Sequence, residues 1–166
     1  ALIISPNEAF FGITPETLFI KQGQSLLTEA LAGTKTTCSL QTLYNPKELK
    51  EFHLTRNFII DTISPISKKV LFDRKVKIKK TANLLHLHTN IKAILNKNTS
   101  VDDLIKTLHP TPALAGFPRN KALDFLYDSE PFDRGLYAAP FCFTVNNNSH
   151  CLVAIRSALL KGKQLH

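Results

Sequence analysis

Asn45-Pro46-Lys47-Glu48-Leu49-Lys50-Glu51-Phe52-His53-Leu54-Thr55-Arg56-Asn57-Phe58-Ile59-Ile60-Asp61-Thr62-Ile63-Ser64-Pro65 reads as one helix. Asn45 is a good N-cap, Pro46 suits the first helical position, and Glu48 stands three residues past the cap, as in a capping box. Leu49, Phe52, Ile59, Ile60 and Ile63 supply an apolar stripe, and Pro65, which lacks an amide hydrogen, ends or kinks the helix. What flanks this helix decides the fold class. Before it, Ala9–Ile13 and Thr17–Ile20 are β-rich, punctuated at Ser5-Pro6-Asn7 and at Gly23. After it, a strand pair is predicted near Val70–Lys80, followed by the apolar run Ala82–Thr89. Ser100-Val101-Asp102-Asp103 caps a short helix through Leu108, stopped by His109-Pro110. Another helix follows Pro118, with Ala122, Leu123 and Leu126 on one face. The final third reads as β-meander: Leu136–Val145 and Cys151–Leu160 flank Asn146-Asn147-Asn148-Ser149, with a second turn at Lys161-Gly162. Strands, then helices, then strands without regular βαβ alternation give an α+β class. The chain stops at His166 just after a turn, which predicts an unpaired final strand.

At 166 residues, with 43% hydrophobic and 20% charged side chains, the chain suits one ordinary globular core. No apolar run approaches the ~20 residues of a membrane helix. The N-terminus has no basic region or small-residue cleavage site. Ala1 is not an initiator and the chain contains no Met, as expected of an internal piece of a longer protein. Three cysteines without CxxC spacing argue against a disulfide framework and for a reducing cytoplasm. Cys142 and Cys151, in apolar strand-like runs, read as buried packing residues. Much of the net charge of +8 comes from Lys68, Lys69, Arg74, Lys75, Lys77, Lys79 and Lys80. Such a cluster can neutralise phosphates. Here Val76 and Ile78 alternate with lysines, the pattern of an exposed strand whose charges discourage edge pairing. No zinc finger, RNP-like or helix-turn-helix signature accompanies it, so a nucleic-acid partner is not expected. Positive charge also attracts small anionic substrates.

Several segments carry more specific information. Phe11-Gly12-Ile13-Thr14-Pro15-Glu16 resembles the FxGxSPE segment of chorismate-utilising enzymes. Leu31-Ala32-Gly33-Thr34 resembles their AGT/S turn, Lys47-Glu48-Leu49-Lys50-Glu51 their KDxxE helix start, and His86-Leu87-His88-Thr89 their HLxT strand. His109-Pro110-Thr111-Pro112-Ala113-Leu114-Ala115-Gly116-Phe117-Pro118 is similar to their HPTPAxxGxP loop. Glu130–Tyr137 and Val153–Ala158 complete the order. The HPTP form points within the family to isochorismate synthase. The resemblance implies antiparallel sheets packed against outer helices, and residues 1–166 as a partial catalytic domain truncated at both ends.

The implied chemistry is Mg²⁺-dependent conversion of chorismate to isochorismate in the cytoplasm, without a membrane partner, feeding menaquinone or siderophore synthesis. Water adds at one ring carbon while a hydroxyl leaves another, which needs a base, an acid and anchors for two carboxylates. By resemblance Glu16 is the general acid and Glu51 a Mg²⁺ ligand; read without it, they are an exposed turn carboxylate and a helix-surface charge. By the same resemblance Arg156 binds a substrate carboxylate, suited by its guanidinium fork; read without it, Arg156 is a solvent-facing residue of an alternating strand. Gly33 and Thr34 offer backbone N–H groups and a hydroxyl. His86, Ala113, Leu114, Tyr137 and Ile155 line the pocket; Ala113 and Leu114 are equally loop packing, and His86 a core histidine. The His86-x-His88 pair also has the strand spacing for a shared transition metal, but no Cys or carboxylate lies at zinc-site spacing. Asp133–Arg134 reads as a loop brace.

The family's base lysine lies on a strand before the first residue here, and its later metal-binding helix lies beyond the last. Glu48 replaces the usual Asp, and Thr34-Lys35-Thr36-Thr37 lacks the Arg and Gly that often follow AGT. Ala138, Ala139 and Cys142 stand where glycines are common, and their side chains threaten crowding or backbone strain. The alternative reading is therefore a non-catalytic remnant of the same family, with a basic nucleic-acid-binding domain a third.

Overall fold

The computed structural model describes residues 2–5, 7–36, 40–81 and 83–166. The elements are β1 (Leu2–Ser5), β2 (Glu8–Gly12), β3 (Thr17–Gln22), β4 (Ser25–Thr36), α1 (Leu40–Leu43), α2 (Pro46–Ile63), β5 (Ser67–Phe72), β6 (Lys77–Lys80), β7 (Leu84–Leu95), α3 (Val101–Leu108), α4 (Pro112–Ala115), α5 (Arg119–Ser129), β8 (Pro140–Val145), β9 (Asn148–Val153), β10 (Ser157–Lys161) and β11 (Gln164–Leu165). The larger sheet runs β5-β7-β4-β3-β9-β8, with β6 also on β7; the smaller runs β1-β2-β10-β11. Every described pairing is antiparallel. The class is α+β, as the order of strands and helices predicts.

Side-chain parity explains the layering. On β4, Leu26, Thr28, Ala30 and Ala32 are buried; on β7, Leu85, Leu87, Thr89, Ile91, Ala93 and Leu95 are. These rows form one face of the sheet, because alternate strand residues point the same way. Helix α2 covers that face with Phe52, Thr55, Ile59 and Ile63. Burying each of the large apolar ones fully is worth roughly 1.5–3 kcal/mol. Leu104 and Leu108 of α3 close the same core. The opposite face carries the polar alternates Glu29, Thr34, His86, His88, Asn90 and Lys92, paired across β4 and β7.

The α2 start is as expected on the cap side: Asn45 Oδ1 accepts from Glu48 N at 2.9 Å. Glu48 does not close the capping box. Its carboxylate is buried and pairs with Lys35 Nζ at 3.0 Å, a charge partner that a buried carboxylate needs more than a cap amide. Ser100 and Asp103 do form a full capping box on α3. The α5 face is only partly covered, with no residue of that helix buried.

Four expectations are corrected. The strands near Val70–Lys80 do not pair with each other; β5 and β6 lie end to end along β7. The final strand is paired, β11 with β10, and Leu159 and His166 exchange two backbone hydrogen bonds. The run Cys151–Leu160 breaks at Ala154–Arg156, where Arg156 takes φ 51°, so its halves join different sheets. Cys142 and Cys151 form a disulfide, Cα–Cα 4.0 Å. Asn146 and Asn147, at φ 48° and 64°, make the tight turn that twisted hairpins favour. The resulting register sets the two cysteines opposite each other, which removes the cysteine argument for a reducing compartment. Cys38 lies outside the described residues. No helix among the described residues is long and apolar enough to cross a membrane.

Candidate active site

Strands β3 and β4 pair only where Ile20–Gln22 face Leu27–Ser25. Beyond that register, a cavity of about 50 Å³ is lined by Glu16, Thr17, Leu18, Thr28, Glu29, Leu31, Thr55, Ile59, Leu108, Thr111 and Ala113. Glu16 is tied into its wall through the backbone: its carbonyl accepts from Val153 N at 3.0 Å. Thr14 Oγ1 donates to Val153 O at 2.6 Å and accepts from Glu16 N at 3.2 Å. The Thr14-Pro15-Glu16 segment thus locks onto β9. Burial, reinforced by the negative charge of Glu29, pushes the Glu16 carboxyl above the ordinary carboxylate range. Glu16 is half-buried, not the exposed turn carboxylate of the plain sequence reading.

Glu29 stands at the centre of the polar face. It accepts from Lys79 Nζ at 2.7 and 2.9 Å and contacts His88 Nε2 at 2.8 Å. Lys79 is therefore engaged, not a purely solvated edge charge, and Lys77 pairs with Asp73. Beside it, Thr34 Oγ1 and His86 Nδ1 are 2.9 Å apart. Desolvation, then the charges of Lys79 and Arg156, hold the His86 imidazole below its usual pKa. His86 thus contacts Thr34 directly and feels the charge of Arg156. His86 and His88 do share a side of β7, but Thr34 takes one and Glu29 the other. Among the described residues no group of three metal-binding side chains forms.

The other expected residues are scattered. Ala113 lines the Glu16 cavity, whereas Leu114 is partly buried and packs against the core. Ile155 lines a different apolar cavity of about 230 Å³ with Phe10, Phe11 and Phe141. Tyr137 is exposed on the loop after Arg134. Arg134 pairs with Glu130, while Asp133 Oδ1 accepts from Gly135 N at 2.8 Å; the expected Asp133–Arg134 brace is replaced by that pair. Gly12 is required by close approach, since a Cβ there would lie 2.8 Å from Arg156 O and Ser157 Cβ. Gly33, at φ +72° in a bulge of β4, rests against Glu48. Glu51, one turn on from Glu48, is exposed.

For Mg²⁺, the donor set is one exposed carboxylate, Glu51, beside a Glu48 already neutralised by Lys35. Mg²⁺ commonly takes one or two carboxylates together with substrate anions and waters, and Glu51 fits one such position. Sequence reasoning missed Glu29, Thr55 and Thr111. The one visible signal was Glu29 itself, an acidic residue inside the apolar alternation of β4. Thr55 and Thr111 are meaningful only once α2 and the loop before α4 are packed against the sheet.

The family model described as "chorismate binding enzyme" matches residues 2–166. The chloroplastic isochorismate synthase of Catharanthus roseus is 34% identical over 95% of this chain and 29% of its own length. The menaquinone-specific isochorismate synthase MenF of Escherichia coli superposes with a TM-score of 0.86 at 28% identity, over 96% of this chain and 39% of that one. Component 1 of anthranilate synthase from Lactococcus lactis also matches, 28% identical over 96% of this chain and 38% of its length. The chain spans about a third of the length of the curated relatives it matches. The match along residues 2–166 and the fold shared with the solved isochorismate synthase lead to one conclusion: this chain belongs to the chorismate-binding enzymes.

Proposed function

We propose that this chain is the central part of an isochorismate synthase, converting chorismate to isochorismate with Mg²⁺ and serving menaquinone or siderophore synthesis. The observation that carries the reading is Glu16: a carboxyl whose pKa is raised by burial and by the charge of Glu29, at the edge of a polar face. In that reading Glu16 donates its proton to the departing ring hydroxyl, which leaves as water. Arg156 takes one substrate carboxylate through its guanidinium, and the Thr34 hydroxyl with the Gly33 and Thr34 amides takes polar groups of the same dianion. His86, its pKa lowered by desolvation and then by the charges of Lys79 and Arg156, orients Thr34. Glu51 would hold Mg²⁺, which supplies positive charge against a substrate carboxylate. The resemblance assigns activation of the water to a lysine, a role that falls on no residue of this chain.

The second reading, a non-catalytic remnant of the family, is favoured by Ala138. It is buried at φ 65°, a backbone region that suits the glycine expected there. One experiment separates the readings. Residues 2–166 replace the matching stretch of a full-length isochorismate synthase, and product formation from chorismate is followed. A chimera that makes isochorismate, and whose Glu16→Gln form loses about 10²-fold or more in kcat with little change in KM, supports the enzyme. A folded chimera that binds chorismate without converting it supports the remnant. A chimera that makes anthranilate when ammonia is supplied moves the reaction within the family.

A further inference from the structure

The cavity behind Glu16 contains two oddities that substrate binding does not explain. Thr55 and Thr111 are 3% and 7% exposed, and both hydroxyl oxygens are buried with no hydrogen-bond partner among the described residues. Both line the same cavity as Glu16 and Glu29. A buried hydroxyl without a partner loses its hydrogen bond to water with nothing in return, and native proteins settle that loss with ordered water. At about 50 Å³ the space is too small for a ring-sized ligand. It accommodates a small group of waters, each needing roughly 10–15 Å³ of this kind of volume and two to four polar partners. Six polar side chains border it: the Glu16 and Glu29 carboxyls and the hydroxyls of Thr17, Thr28, Thr55 and Thr111; Thr28 already donates to Leu18 O and Thr17 lies against His150 Nε2.

We propose that this cavity is a built water site, in which water held by Thr55 and Thr111 hydrogen-bonds the Glu16 carboxyl and links it to Glu29. Its use rests on the acid role proposed for Glu16. The bridging water holds the Glu16 carboxyl in one orientation, while Glu29 stays an ion-paired carboxylate facing His88 Nε2 and Lys79 Nζ. The groups that face Glu16 can be named element by element. Strand β4 presents Glu29, with His88 of β7 and Lys79 of β6 beyond it. Strand β9 presents His150, whose Nε2 lies 3.4 Å from Thr17 Oγ1. Helix α2 presents Thr55 and Ile59, and the α3–α4 segment Leu108, Thr111 and Ala113, none of them titratable in the working range.

The test uses this 166-residue chain, isotopically labelled, without chorismate or metal. Water–protein NMR cross-peaks to the Ala113 methyl and to Thr55 and Thr111 report long-lived internal water. The carboxyl carbon of Glu16 is titrated in the parent, in Thr55→Val/Thr111→Val and in Glu29→Gln. We expect cross-peaks of slowly exchanging water in the parent. Loss of the waters in the double variant raises the Glu16 midpoint by about half a pH unit or more, because the carboxylate loses hydrogen bonds. Glu29→Gln lowers it by about as much or more, because a like charge is removed. A folded double variant in which Glu16 titrates as in the parent overturns the proposal, whatever Glu29→Gln does. Absence of long-lived water in the parent overturns it as well, even where the double variant fails to fold. These readouts involve no substrate, so they stand or fall apart from the isochorismate synthase reading.

Discussion

Replacing Gly33 by alanine tests how the glycine of the AGT turn holds α2 against the sheet. Gly33 sits at φ +72°, and a Cβ there would meet Glu48 Cβ and Oε2 at 3.2 Å and Glu48 O at 3.3 Å. Two costs follow. An L-residue in the left-handed region is strained by about 1–2 kcal/mol. Pressing a methyl against a neighbour that cannot retreat costs about 1–3 kcal/mol more. Glu48 is poorly placed to retreat: its carbonyl belongs to α2, and its carboxylate is buried on Lys35. The stiffer unfolded chain offsets about 0.4–1 kcal/mol. Gly23 provides the control, since it has φ +57° and nothing within 4 Å of the methyl that alanine would add. Gly23→Ala therefore carries the strain alone, and Gly33→Ala should be less stable than it by about 1–3 kcal/mol. Urea unfolding followed by circular dichroism, with unchanged slope, reads this difference directly. Thermal midpoints should separate by roughly 2–4 °C per kcal/mol for a chain of this size. Equal losses in the two variants would refute the contact with Glu48 and leave Gly33 as an ordinary turn glycine.

Two further outcomes are expected. The Glu16 carboxyl is raised above 4.5 in the folded chain, so its ionisation opposes folding once pH climbs past that value. Stability of Glu16→Gln should match the parent below about pH 4.5 and exceed it increasingly as pH rises through the folded midpoint; parallel stability curves across pH 4–8 would show that Glu16 is not desolvated. The Cys142–Cys151 bridge closes a loop with a sequence separation of 9. Reduction, or Cys142→Ser/Cys151→Ser, should cost about 2–3 kcal/mol by loop-closure entropy. Alkylation of the unfolded, unreduced chain at three cysteines instead of one would disprove the bridge.

Local chemistry determined a good part of this protein before any tertiary contact was known. The α2 start at Asn45-Pro46, the Ser100–Asp103 box and the left-handed Asn146-Asn147 turn each depend on a few neighbouring residues. The alternation on β4 and β7 likewise separates a core row from a polar row, because strand side chains alternate whatever the partner. The order of the motifs named the family. Only the tertiary structure decided what depends on long-range register. Whether β5 and β6 pair with each other or both with β7 turns on which edge is free, and no local signal reports that. Cys142 and Cys151 face each other only because the hairpin register makes them partners. Glu16 was visible as a motif residue, but its raised carboxyl comes from burial and from a strand neighbour 13 residues away, Glu29. Thr55 and Thr111 came to line the cavity beside Glu16 in the same way. Each looks ordinary in sequence and reaches the cavity only when α2 and the α3–α4 segment close the gap where β3 parts from β4.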